Sequence, residues 1–185
     1  MRITQKIKTI LVVWMIALVI SACSPAVIQV TTTETSTPTP EQGLPPCGYM
    51  WASKSLPDVT AQVQAAFNTA GLKDANVRAE AFGENCLDVD GKVQSFLAME
   101  TDFNITMTVP DLTDTQSLGE WLEKMLVVLD QFPHGTVPGP NPGYISVEFT
   151  SAQDRVILRF PVTEGISARQ QGLHGADLFN DLKEP

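Results

Sequence analysis

Leu97-Ala98-Met99-Glu100-Thr101-Asp102-Phe103-Asn104-Ile105-Thr106-Met107-Thr108-Val109 is the stretch that decides the fold. Odd positions carry Leu97, Met99, Phe103, Ile105, Met107 and Val109, with Thr101 the single interruption. Even positions carry Glu100, Asp102, Asn104, Thr106 and Thr108. Side chains alternate across a strand, so this period of two reads as one long strand with a buried face and a wet face. Such a sheet needs a cover on its apolar side.

Working outward supplies that cover. On the N-terminal side, Val77, Ala79 and Ala81 alternate with Arg78 and Glu80, which predicts a strand over 77–89. Asp90-Gly91 then reads as a hairpin turn, because this pair supplies the positive φ a tight connection needs. Further back, Val59, Val63, Ala66, Phe67 and Ala70 fall at helical spacing, and Gly71 is placed to stop a helix over 58–70. On the C-terminal side, Leu118, Trp121, Leu122, Met125, Leu129 and Phe132 form the inner stripe of a helix that runs from Asp114 to Phe132. Pro133 ends it. Ile145, Val147 and Phe149 alternate in a third strand, and Val156, Leu158, Phe160 and Val162 in a fourth.

The order helix-strand-strand occurs twice. It predicts an α+β two-layer sandwich over 45–165: a four-stranded antiparallel sheet covered on one face by two helices (αββαββ), with the other face polar. After Gly165 the pattern fades. Leu173, Ala176, Phe179 and Leu182 hint at a short helix, but Gly172 and Gly175 weaken it, so 166–185 is expected to be a weakly structured tail.

The N-terminus says where the protein works. Arg2, Lys6 and Lys8 precede an unbroken apolar run from Ile10 to Ile20, and Ile20-Ser21-Ala22-Cys23 closes it with small residues. Residues 1–22 read as a secretory signal peptide. The run has eleven residues, where a membrane-spanning helix needs about 20. The ending resembles the lipobox of bacterial lipoproteins, a likeness confined to residues 1–23. It implies cleavage before Cys23, a diacylglyceryl group on its thiol and an acylated (palmitate-type) amine. The chain would then be lipid-anchored on the extracytoplasmic side of the cell membrane or outer membrane. Ser24 lacks the aspartate that, in some lipoproteins, resembles an inner-membrane retention signal. Residues 23–44 add the Thr- and Pro-rich TTTETSTPTPEQ (31–42), which reads as a disordered tether reaching between roughly 25 and roughly 65 Å.

Charge narrows the partners. Nine of the twelve Lys and Arg follow Cys23, as do all 21 Asp and Glu, so the chain beyond it carries −12 with both histidines neutral. That argues against nucleic acid and against electrostatic docking on anionic lipid. With Cys23 acylated, as the lipobox resemblance implies, Cys47 and Cys86 remain as a pair in an exported chain. A structural disulfide is expected. No CxxC is present, and His134 and His174 lack ligand spacing, so a redox or metal thiol pair is the weaker reading.

Motifs for chemistry are sparse. Asp88-Val89-Asp90-Gly91 hints at a calcium loop, but glycine falls at position four and Met99 at twelve, where an EF-hand needs glycine at six and glutamate at twelve. The loop HGTVPGPNPG (134–143) contains no lysine, and its prolines remove the N–H groups that phosphate binding requires. GxSxG and SxxK are absent, and no cofactor motif is found. What remains is the polar sheet face. Phe96, Glu100, Asp102, Tyr144, Glu148 and Arg159 are the candidate binding surface, with Ile157 among them. The expectation is a membrane-anchored, non-enzymatic binding or accessory module for an envelope protein. The alternative is a small extracytoplasmic hydrolase using Glu100 and Asp102. A solute-binding role is disfavoured, because one domain of this length lacks two lobes to enclose a ligand.

Overall fold

The structure, a computed structural model, describes residues 47–152 and 154–183. Cys23 and the stretches read from sequence as a signal peptide (1–22) and a tether (23–44) lie outside them. The elements are β1 (Gly48–Ser55), α1 (Pro57–Thr69), β2 (Ala75–Leu87), β3 (Val93–Thr108), α2 (Thr115–Leu129), β4 (Asn141–Ser151), β5 (Asp154–Pro161), α3 (Val162–Gln170) and α4 (Gly175–Lys183).

The sheet has five strands in the order β1-β2-β3-β4-β5. Neighbours are antiparallel except β3 and β4, which are parallel. This corrects the expected four-stranded antiparallel sheet of αββαββ order: the sheet is mixed, gains a strand and carries four helices among the described residues. Two physical reasons account for the difference. β1 is exposed on almost its whole length, so its sequence GYMWASKS has no hydrophobic alternation to betray it. And α2 connects β3 to its own neighbour β4, a strand-helix-strand crossover that returns the chain in the same direction.

The apolar face is built as the period of two predicts. Val77, Ala79, Phe103, Ile105, Ile145, Val147, Phe149, Leu158 and Phe160 are all buried there. α1 covers them with Val63 and Phe67, and α2 with Leu118, Leu122, Met125, Leu126 and Leu129. α1 opens with Pro57 and Asp58 in its first turn and closes at Gly71 (φ +82°), where the Leu72 amide donates to Phe67 O at 2.9 Å. α2 is capped by Asp114, whose carboxylate accepts from the Ser117 amide at 3.1 Å and its hydroxyl at 2.6 Å.

The C-terminal stretch read as a weak tail is ordered helix. Gly172 (φ +89°) ends α3, with the Leu173 amide donating to Ala168 O at 3.2 Å. Gly175 opens α4 against Gly119 of α2, so closely that a methyl on Gly119 would overlap the Gly175 backbone. Leu178, Phe179 and Leu182 are buried in the core as a result. The glycines that weaken a helix by propensity serve here as a stop and as a close contact.

β3 is not one regular strand. Phe82 pairs with Glu100 but Gly83 pairs with Ala98, leaving Met99 as an extra residue. Beyond this bulge the faces exchange. Leu97, expected on the buried face, is 65% exposed on the open one. Past the bulge, β1, 82–87 of β2 and 93–98 of β3 contribute no side chain to the core under the helices. The disulfide Cys47–Cys86 fastens their far end, with the two Cα atoms 5.1 Å apart.

Sheet edges are treated unequally. Below the reach of β1, the backbone of β2 is paired by α1 instead. Gln64 Nε2 donates to Ala75 O at 2.9 Å, and Thr60 Oγ1 accepts from the Ala79 amide at 2.9 Å. β5 is an edge with Arg155, Arg159 and Pro161 along it. Among the described residues nothing pairs with the outer edge of β1.

Candidate functional site

Three of the sequence candidates meet on the open face. Asp102 Oδ1 accepts from the Tyr144 amide at 2.8 Å, and Asp102 Oδ2 lies 3.7 Å from Arg159 Nη2. The Arg159 guanidinium sits 4.3 Å from the centroid of the Tyr144 ring. Glu80, Asn104 and Ser146 join them around a shallow cleft of about 300 Å³. These three neighbours escaped the sequence reading, although Glu80 and Asn104 occupy the wet positions of their strands.

The ladder explains why Asp102 is where it is. The β3–β4 register shifts between Thr101 and Phe103, and the carboxylate pairs the amide of Tyr144 at that irregularity. Thr101, the polar interruption in the apolar row, is buried and donates from Oγ1 to Pro138 O at 2.6 Å. It ties the 134–143 loop to the sheet. Gly139 (φ +98°) packs against the Glu100 backbone with no room for a side chain.

The other candidates sit apart. Glu100 is on the same face, and its carboxyl is pushed above the ordinary range, first by burial and then by Asp102, with Arg159 opposing. Glu148 faces the same side but pairs with Arg155 at 3.3 Å rather than with the cleft. Phe96 is on the opposite face, because the Met99 bulge reverses the alternation; its ring lies 5.9 Å from Lys54 Nζ. Asp88 spends its carboxylate on its own turn, accepting from the amides of Asp90 and Lys92 and from Gln94 Nε2. Among the described residues no group of three His, Cys, Asp or Glu side chains is disposed to hold a metal ion.

A second region was missed altogether. Tyr49 and Trp51 are 69% and 59% exposed, on the open face of the strands beyond the bulge. Trp51 stacks on Phe82, with ring centroids 5.3 Å apart and planes 9° from parallel. Glu84 lies directly between Trp51 on β1 and Leu97 on β3. Beside them opens a cleft of about 650 Å³ lined by Tyr49, Glu84, Gln94, Ser95, Leu97 and the disulfide. The tryptophan and tyrosine two residues apart were the available signal, but with both faces wet no periodicity marked them as a strand.

Comparison of the chain with protein-family models, curated proteins and solved structures gives no match. Among the described residues no helix is long and apolar enough to cross a membrane.

Proposed function

We propose that the protein is a lipid-anchored, extracytoplasmic binding module that docks a protein of the cell envelope and catalyses no reaction. The observation that carries this reading is the exposed row Tyr49, Trp51 and Leu97 on strands that no helix covers. Large apolar side chains grouped on a surface gain free energy only when something covers them. The Cys47–Cys86 disulfide suits an oxidising compartment, and the lipobox-like ending at Cys23 suits an anchor there. The acidic chain leaves membrane attachment to the lipid itself.

The hydrolase reading has one observation in its favour, the raised Glu100 carboxyl. Its proposed partner Asp102 is already engaged by the Tyr144 amide and Arg159, which favours a positioning duty over chemistry.

Cross-linked capture of the native lipidated protein from intact cells, read by mass spectrometry, tests the module. A reproducible envelope protein that is lost on Tyr49→Ala with Trp51→Ala supports it; no partner above background rejects it. Intact mass tests the anchor, and an unmodified residue 23 or a retained residue 1 rejects it.

A further inference from the structure

The region past the bulge offers two things that one kind of ligand would use together. The first is a carboxylate set among rings. Glu84 stands between Trp51 and Leu97 on adjacent strands, with Tyr49 one pleat further along β1. Among the described residues Glu84 has no ion-pair or hydrogen-bond partner, while Glu80, Asp102, Glu148 and Asp130 each hold an arginine. Phe82 covers one face of the Trp51 ring, and Trp51 is still 59% exposed. Ring faces attract cations, and a carboxylate beside them adds charge and hydrogen-bond acceptors. The cleft lining has two carboxylates, Glu84 and Asp88, and no lysine or arginine.

The second is a strand edge. α1 pairs the lower edge of β2 and arginines line β5, yet β1 presents Gly48–Ser55 with Lys54 as its only charged residue and no partner on its outer side among the described residues. An extended chain can add there through backbone hydrogen bonds and place alternate side chains along the same face.

We infer that the outer edge and open face of β1 dock an extended basic segment of a partner protein, with a lysine or arginine side chain lying over Trp51 and Tyr49 to reach Glu84. The acidic chain steers such a segment and repels acidic ones. This inference rests on the binding-module reading and names its partner's chemistry.

The test uses the full chain and a short peptide alternating lysine and threonine, titrated by calorimetry and by backbone amide shifts. The expected result is shifts concentrated in β1 and binding that weakens as salt is raised. Acetylating the lysines, Glu84→Gln and Trp51→Ala should each weaken binding about tenfold, the loss of one such contact. Lys73→Ala, in the exposed turn after α1, should change nothing. Equal binding of the acetylated peptide, or binding indifferent to Glu84→Gln, would overturn the inference. So would affinity only for phosphatidylcholine vesicles or for a neutral oligosaccharide. An envelope partner captured equally by wild type and by Glu84→Gln removes this docking mode and leaves the module reading intact. Peptide binding as expected with no envelope partner captured does the reverse.

Discussion

Asp102 reaches from β3 to accept a hydrogen bond from the backbone amide of Tyr144 on β4, at 2.8 Å, where the ladder between the two strands loses its register. A side chain thus completes the sheet. Asp102→Ala should lower stability by about 1–3 kcal/mol, because it orphans that amide and releases Arg159. Asp102→Asn should cost less, since its amide oxygen still accepts. Urea unfolding of the two variants checks the order; equal losses would mean the charge, not the acceptor, matters.

Gly119 and Gly175 let α2 and α4 touch backbone to backbone. Gly119→Ala has no space to fill and should destabilise by about 1–3 kcal/mol, as overpacking does. Hydrogen exchange should show the loss first in α4, whose Leu178, Phe179 and Leu182 depend on that approach.

Stability should respond to pH with opposite signs at two kinds of carboxyl. The folded state raises the Glu100 carboxyl above its ordinary range, so it favours the protonated form. That contribution is present in acid and is lost as pH rises through the raised value. Glu100→Gln should therefore raise the melting temperature at neutral pH and give no gain in acid. Asp114 is lowered, mainly by the Ser117 hydroxyl and amide. Its contribution is present above the ordinary carboxylate range and is lost as pH falls through the lowered value. Asp114→Ala should hurt at neutral pH and progressively less in acid. Melting curves across the acid range check both signs.

Removing the disulfide by Cys47→Ser with Cys86→Ser should cost at most about 4 kcal/mol, the chain-entropy value for a loop of this length. The effect should be local. β1 has almost no buried side chains and is held by its ladder to β2 and by that bond. Amide exchange should accelerate in Gly48–Ser55 well before β4, and equal acceleration in both would mean that β1 is integral to the core.

Much of this fold is legible wherever one face is buried and the other wet. Phe103, Ile105 and Met107, and the stripe Leu118, Leu122, Met125, report their burial through spacing alone. β1 is illegible for the converse reason: with both faces in water, Tyr49, Trp51 and Lys54 follow no period. The Met99 bulge defeats the same logic locally, turning Leu97 outward and Phe96 to the far face, since alternation carries no mark of an inserted residue. Gly172 and Gly175 mislead because propensity counts them as breakers, whereas their use is set by a neighbouring turn and a neighbouring helix. On the open face, Asp102, Tyr144 and Arg159 were legible as a group from strand parity. Glu84 was not, because its neighbours depend on the unseen strand.

The sheet's spatial order repeats its order along the chain, β1 through β5. Each strand therefore finds its partner in the one just laid down, and none must be threaded between two already joined. The returns through α1, from β1 to β2, and through α2, from β3 to β4, are the distant ones, so loop-closure entropy weighs mainly on those two steps of assembly. The last helix closes the chain on a different partner: α4 rests backbone to backbone on α2 at Gly119, so its place depends on that helix rather than on a strand.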